Sequence, residues 1–224
     1  MKRCLMLVEG QTEERFVKDL LAPAFQSLGV SMIPTMLITK KVLSGPNFKG
    51  GVTSYAKMRS NLIPLLRDRG VLVTTIFDYY GLPDDTPGMK TRPVGASARE
   101  RVRHMENAIF QDLGSPGNLM PFLALHEFEA WLFTDIDTTA AVIPAREKAH
   151  ELHLAVAGLE PEEINEGSTT APSKRLLRVF PGFQKALHGP VATKRIGLEA
   201  IRAKCPHFDE WLTRLETFAS ARRT

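Results

Sequence analysis

Short runs of consecutive apolar residues alternate along the chain with segments whose apolar residues recur every three or four positions. Consecutive apolar positions are typical of strands buried on both faces of a sheet, whereas the longer spacing is typical of amphipathic helices. We predict strands at Cys4 to Val8, Val30 to Thr39, Val71 to Phe77 and Leu119 to Leu125. Pro34 interrupts the second run, which favours an edge or bulge position for that strand.

Helical spacing follows the first three strands, beginning at Thr12, at Thr53 or Ser54, and at Ser97. An alternation of buried strands and helices predicts an α/β fold with a mostly parallel sheet flanked by helices. A loop is predicted from Ser44 to Gly51 and a long one from Asp78 to Gly95.

Beyond about Asp135 only helical segments are predicted, and they form an α-helical C-terminal appendage. They run from Pro144 to Ala157, Pro172 to Phe180, Thr193 to Lys204 and Pro206 to Ala221. We therefore divide the chain into an α/β core at 1–134 and a helical C-terminal region at 135–224 that packs on the core.

Composition excludes several classes of protein. The two cysteines, Cys4 and Cys205, are too few for a disulfide scaffold or a four-cysteine zinc site, and a reducing cytoplasm is the expected location. No apolar stretch approaches the roughly 20 residues that span a bilayer.

The net charge is only +4, but the region 127–166 holds ten acids and two bases, and 174–224 holds eleven bases and four acids. Such blocks fit an acidic site flanked by basic surfaces that contact phosphate polymer, or they are solvated helix faces.

Acidic residues follow three of the predicted strands. Glu9 follows the first, Asp78 the third, and Glu127 and Glu129 the fourth. The carboxyl ends of parallel strands meet at one edge of the sheet, so these acids can converge, and clustered carboxylates are stabilised by a divalent cation. Oxygen ligands suit Mg²⁺ or Mn²⁺. Taken singly, each acid also fits a helix start or a turn.

Three further points stay open. Glu127 and Glu129 share a face if the strand continues through them and diverge if a helix has begun. His126 is a candidate ligand or proton shuttle, although a lone histidine is more often a packed residue. Tyr79 and Tyr80 either stack on a base or anchor their loop.

Five motifs together resemble a TOPRIM-like family of uncharacterised bacterial proteins. They are VEGQTEE from Val8, FDYYGLP from Phe77, HEFEAWLF from His126, PSKRL from Pro172 and KRIGLEAIRAKCPHFDEWL from Lys194. TOPRIM is the metal-binding fold of topoisomerases, primases and the overcoming-lysogenization-defect (OLD) nucleases. Proteins of the family resembled here are often encoded beside an ATPase and have a suspected role in phage defence.

The resemblance implies roles for individual residues. Glu9 matches the TOPRIM glutamate that binds metal or acts as general acid or base, and Asp78 matches the first residue of an Asp-x-Asp motif. Tyr80 stands at the second Asp position, so Asp84 or Asp85, or Glu127 and Glu129, would supply the missing oxygen.

The predicted catalytic residues are therefore Glu9, Asp78 and Lys174, since Lys174 lies within a matched motif and could stabilise a pentacovalent phosphate. The predicted metal ligands are Glu9, Asp78, Glu127 and Glu129. The function expected is a Mg²⁺- or Mn²⁺-dependent nuclease or phosphodiesterase acting on DNA or RNA, and the resemblance implies an ATPase partner. Because Tyr80 replaces an aspartate, the alternative is a non-catalytic regulatory or interaction subunit of an ATPase-containing complex. A small-molecule phosphotransferase or phosphatase is a third reading.

Overall fold

A computed structural model of the chain describes residues 1–40, 48–49, 53–143, 146–156, 158–165 and 167–221. Its strands are β1 (Lys2–Val8), β2 (Val30–Met36), β3 (Ile38–Lys40), β4 (Phe48–Lys49), β5 (Leu72–Asp78), β6 (Leu119–Met120) and β7 (Leu123–Ala124). Most of the loop predicted from Ser44 to Gly51 lies outside the described residues.

The α-helices occupy the segments between and after the strands. They are α1 (Gln11–Phe16), α2 (Ala22–Gln26), α3 (Tyr55–Leu66), α4 (Ala98–Asp112), α5 (Ile136–Val142), α6 (Ala149–Val156), α7 (Pro172–Val179), α8 (Lys185–Ile196), α9 (Leu198–Lys204) and α10 (Pro206–Ser220). A π-helical turn at Val17–Leu21 joins α1 to α2. The 3₁₀ segments lie at Met89–Thr91, Phe128–Thr134, Arg146–Lys148 and Pro161–Glu163.

Among the described residues, five strands form one parallel sheet in the order β2-β1-β5-β6, with β7 also pairing with β5. This confirms the predicted α/β fold class, with helices on both faces and a helical C-terminal region. Strand β2 lies at the edge, as Pro34 predicts, because a proline lacks the N–H that an interior strand needs. Strands β3 and β4 pair separately as an antiparallel ribbon.

The fourth predicted strand is two short strands rather than one. Pro121 separates β6 from β7, and Phe122 forms no ladder with β5 in the described structure. Instead the Thr75 hydroxyl accepts from the Phe122 N–H at 2.9 Å and donates to its carbonyl at 2.8 Å. One side chain therefore replaces the missing backbone hydrogen bonds at this break.

Alternate residues of β1 enter different cores, which is the pattern of a strand covered on both faces. Cys4, Met6 and Val8 pack with α1, the π-helical turn, α9 and α10, whereas Leu7 packs with α3 and α4. On the first face Trp211 of α10 stacks on Phe122 with ring centroids 4.3 Å apart. A third apolar core lies among α5 to α8.

The C-terminal helices differ from the prediction in two places. The segment predicted as one helix from Thr193 to Lys204 is split at Gly197, whose φ of 84° ends α8 before α9 begins. Helix α8 also starts well before Thr193, at Lys185, and helix α5 was not predicted. Helices α9 and α10 share a core with the sheet, whereas α5 to α7 share the third core with α8. The division of the chain at 134/135 stays a prediction.

None of the helices in the described ranges combines the length and hydrophobicity that a bilayer crossing requires.

Candidate functional site

The carboxyl ends of β1 and β5 bring the first two predicted acids together. Glu9 follows β1 directly, and its N–H donates to the Ile76 carbonyl of β5 at 3.2 Å. Its carboxylate accepts from the Asp78 N–H at 3.3 Å. Glu9 is therefore held against the end of the neighbouring strand by both its backbone and its side chain.

Asp78 connects the sheet to two later segments. Its Oδ1 atom accepts from the Phe128 N–H at 2.7 Å, which ties β5 to the 3₁₀ segment that carries Glu129. Its Oδ2 atom lies 2.7 Å from Nζ of Lys185, the first residue of α8. The aspartate thus orients both elements around the strand end.

Lys185 is the centre of the arrangement. Besides Asp78, its amino group lies 3.2 Å from Glu129 Oε2 and 3.4 Å from Glu13 Oε1. It also lies 5.8 Å from the centroid of the Phe128 ring. We refer to Glu9, Glu13, Asp78, Glu129 and Lys185 as the carboxylate–lysine cluster.

Burial and mutual repulsion perturb the acids of the cluster. Burial, with the charge of Asp78 second, raises the pKa of Glu9 to about 8, although Lys185 lowers it. Burial likewise raises the pKa of Glu129 to about 7 and raises that of Glu13, with Lys185 opposing both shifts. Burial would lower the pKa of Lys185, but Asp78, Glu129 and Glu13 outweigh it and raise that pKa well above its ordinary value. The cluster therefore has four carboxyl groups and only one amino group to neutralise them.

Two atoms of the cluster have unused capacity to bind a ligand. Glu13 Oε1 and Glu129 Oε2 are buried, and neither accepts a hydrogen bond from the described residues. The other oxygen of Glu13 accepts from the Gly10 N–H at 3.0 Å, which ties the side chain to the residue before α1. Both unbonded oxygens face the amino group of Lys185, so the cluster has oxygen donors of the kind that Mg²⁺ and Mn²⁺ prefer.

Glu127, a predicted metal ligand, lies outside the cluster and binds Ser173. Its two oxygens accept from the N–H of Ser173 at 2.8 Å and from the Ser173 hydroxyl at 3.0 Å. Ser173 belongs to the first turn of α7, where a carboxylate is favourable because it satisfies a free N–H and the helix dipole. Glu127 has extended backbone while Glu129 lies in the 3₁₀ segment, so the two side chains diverge.

The other candidates also lie outside the cluster. Lys174 is exposed, and the lysine that contacts the acids is Lys185. Asp84 is exposed, and Asp85 accepts from the Tyr55 N–H at 2.9 Å at the start of α3. His126 lies 3.2 Å through Nε2 from the Glu162 carbonyl.

The two tyrosines after Asp78 differ. Tyr79 is buried, and its hydroxyl accepts from Arg92 at 3.3 Å, so it anchors the long loop. Tyr80, which the sequence resemblance predicts to replace an aspartate, has an exposed side chain.

Sequence reasoning missed Glu13 and Lys185. Glu13 lies inside the VEGQTEE motif, four residues after Glu9, and this spacing was an available signal. Lys185 had no such signal, because Gly189 and Pro190 follow it and this dipeptide normally marks a turn.

Two contacts with α1 and the 3₁₀ segment explain why helix α8 accommodates Gly189 and Pro190. Pro190 has no N–H for the Ala186 carbonyl, and Arg15 of α1 donates to that carbonyl instead at 3.3 Å. A Cβ atom on Gly189 would lie 3.1 Å from Phe128 and 3.3 Å from Thr12. The glycine therefore allows the close approach of α8 to α1 that brings Lys185 to the acids.

Within the described ranges, no three His, Cys, Asp or Glu side chains are grouped so that they could hold a metal ion. The acids of the cluster are instead arranged around the Lys185 amino group. Ion binding would thus require the carboxylates to close on the ion.

A family model described as "Domain of unknown function (DUF4276)" matches residues 8–216. The chain belongs to this family. The matched DUF4276 region includes the whole carboxylate–lysine cluster. No curated protein matches the chain.

Solved structures similar to this DUF4276 protein come from OLD proteins. The C-terminal region of the Burkholderia pseudomallei OLD protein is 17% identical with a TM-score of 0.44, covering 96% of this chain and 99% of that one. The C-terminal region of the Xanthomonas campestris pv. campestris OLD protein, phased with iodine, is 15% identical with a TM-score of 0.34, covering 96% and 98%. The assignment of TOPRIM motifs to this chain stays a prediction.

Proposed function

We propose that this protein is a Mg²⁺- or Mn²⁺-dependent phosphodiesterase that cuts DNA or RNA. The observation that carries the proposal is the convergence of Glu9, Asp78 and Glu129, each following a different parallel strand, with Glu13 and Lys185 beside them. Carboxylates gathered at the carboxyl edge of a parallel sheet occupy the position where such folds bind ligands.

The four acids of the cluster would hold the ion, and Glu13 Oε1 and Glu129 Oε2 have lone pairs available for it. A bound divalent ion supplies Lewis acidity toward a phosphoryl oxygen and activates water. Asp78 keeps its Oδ1 atom on the Phe128 N–H and so fixes the direction of its other oxygen. The amino group of Lys185 is placed to donate to a phosphate oxygen that gains charge in the transition state.

Nucleic acid is the favoured substrate because a helix with exposed basic side chains packs against the 3₁₀ segment that carries Glu129. Helix α7 exposes Lys174 and Arg178 one turn apart, and Ser173 of the same helix binds Glu127. Glu127 is near enough to Glu129 to contribute to the raised pKa of that residue. A basic helix face beside an acidic centre can hold the phosphate backbone of a polymer. The catalytic role of Lys174 stays a prediction.

Cleavage of labelled single-stranded DNA, duplex DNA and RNA in Mn²⁺ or Mg²⁺ tests the proposal. We expect Glu9→Gln to lose at least about a hundredfold in rate, because even residues that only support metal ligands contribute about 10–100-fold. The matched control is Glu14→Gln, which lies on α1 but pairs with Lys18 at 2.8 Å. Equal cleavage by wild type and Glu9→Gln, or none in wild type, would contradict the proposal.

A second candidate is a non-catalytic regulatory subunit of an ATPase-containing complex. The observation that favours it is Lys185, which already places a positive charge among the acids. Calorimetric titration with Mn²⁺ separates the candidates, since a regulatory site stabilised by lysine alone binds no ion at millimolar concentration. An ATPase partner and a role in phage defence rest on the sequence resemblance and are proposals in either case.

A further inference from the structure

We infer that Lys185 is a tethered cation that competes with the metal ion for the same carboxylates. In the ion-free protein its amino group holds the cluster together, and it withdraws from Asp78 when an ion binds. The inference concerns regulation of the candidate site and rests on the metal binding in the proposed function.

The contacts of Lys185 are with the oxygens that an ion would need. Its Nζ atom lies 2.7 Å from Asp78 Oδ2, 3.2 Å from Glu129 Oε2 and 3.4 Å from Glu13 Oε1. The last two oxygens are buried and accept no hydrogen bond within the described part of the chain. An ammonium group and a divalent cation at this spacing repel each other strongly, so both cannot contact the same three oxygens.

Lys185 has a more exposed side chain than the three acids that its amino group contacts. Its side chain is 33% exposed, whereas those of Glu13 and Glu129 are 4% exposed and that of Asp78 is 12% exposed. Its four-carbon stem allows the amino group to swing toward solvent without moving the helix. In contrast, one oxygen of Glu13 and one of Asp78 are held by the N–H groups of Gly10 and Phe128, so these two acids would close on an ion through their remaining oxygens.

The position of Lys185 in its helix favours withdrawal once the acids are neutralised. It is the first residue of the twelve-residue helix α8, where the positive end of the helix dipole disfavours a cation. The carboxylates therefore hold it there, and an ion that neutralises them removes that attraction. Withdrawal would leave the amino group at the mouth of the cluster, available to a phosphate group of the substrate.

Mn²⁺ titration calorimetry of the full chain without nucleic acid tests the competition. Lys185→Met should bind Mn²⁺ about tenfold or more tightly than wild type, because the competing charge is gone. Lys194→Met removes an exposed lysine from the same helix and should match wild type. Without metal, Lys185→Met should also melt at a lower temperature than wild type, and saturating Mn²⁺ should stabilise this variant more than wild type.

Metal affinity in Lys185→Met that is equal to or weaker than in wild type would overturn the inference, as would the absence of binding by both. The result is separable from the nuclease proposal. If Lys185→Met binds the ion more tightly but wild type cuts no nucleic acid, the competition stands and the proposed substrate is wrong.

Discussion

Gly189 is the residue whose replacement most directly tests how helix α8 positions Lys185. It lies one turn after Lys185 on the same helix. An added Cβ atom would lie 3.1 Å from Cε1 of Phe128 and 3.3 Å from Cγ2 of Thr12. Both distances are a few tenths of an ångström shorter than comfortable packing, so the neighbours or the helix must shift.

Two opposing effects set the magnitude. Replacing a glycine inside a helix by alanine gains about 0.5–1 kcal/mol in helix propensity. Overpacking costs about 1–3 kcal/mol, and the cost grows with each added methyl group. We therefore expect Gly189→Ala to be near neutral and Gly189→Val to lose about 2 kcal/mol, which lowers Tm by about 4–8 °C for a chain of this size.

Thermal unfolding and Mn²⁺ titration of both variants measure the effect. Gly189→Val should also change Mn²⁺ affinity, because moving α8 away from α1 shifts Lys185 relative to the acids. Gly117→Ala is the matched control, since a Cβ atom there meets nothing within 4 Å. Wild-type Tm and wild-type Mn²⁺ affinity in Gly189→Val would refute the argument that close packing at this glycine positions the lysine.

Three further predictions concern the framework around the site. Glu162 accepts from the first-turn N–H groups of α10 at 2.8–3.1 Å. Urea unfolding of Glu162→Ala should therefore show a free energy of unfolding about 2–3 kcal/mol lower than that of wild type. A loss below about 1 kcal/mol would contradict this capping role. Burial would lower the pKa of His207, but its 2.9 Å contact with Glu106, helped by Glu162 and Glu210, raises that pKa. Because the pKa of His207 is higher in the folded than in the unfolded protein, the stabilisation by its contact with Glu106 is full below about pH 6.5 and is lost as pH rises through the folded pKa. Glu106→Gln should therefore lower the free energy of unfolding most at pH 5.5–6.5. An equal loss at pH 9 would refute the ion pair between His207 and Glu106. Thr75→Val keeps the side-chain shape but removes both hydrogen bonds to Phe122, so chemical denaturation should show a loss of about 1–3 kcal/mol, whereas wild-type stability would mean that the break between β6 and β7 needs no such bridge.

Sequence was sufficient for the parallel sheet and for three of the five residues of the cluster. Consecutive apolar residues are required of strands covered on both faces, so β1 and β5 and the acids after them could be predicted. Glu9 and Asp78 meet because parallel strands end at one edge, which holds whatever the detailed packing. The edge position of β2 followed from Pro34 for an equally local reason.

The fourth strand end could not be resolved from sequence. Whether Glu127 and Glu129 share a face depends on where the extended chain becomes helical, and that point is set by the Asp78 bond to the Phe128 N–H. This tertiary contact begins the 3₁₀ segment just after Glu127. As a result Glu129 turns into the cluster and Glu127 turns toward α7.

Lys185 could not be predicted because a helix-breaking dipeptide follows it, and tertiary contacts override the effect of that dipeptide. A Gly-Pro dipeptide normally interrupts a helix, yet α8 continues through Gly189 and Pro190. It does so because Arg15 satisfies the Ala186 carbonyl and because the glycine permits close packing against α1. Neither contact is visible in the sequence, so the sequence favours Lys174 of the PSKRL motif instead.

The most direct test of the account is a crystal structure of the protein in Mn²⁺ with anomalous data. We expect an anomalous peak bound by Asp78 and Glu129, with Glu9 and Glu13 contributing, and the Lys185 amino group withdrawn from Asp78. A structure without a peak there, with Lys185 still bound to Asp78 at saturating Mn²⁺, would contradict a metal-dependent site at these strand ends.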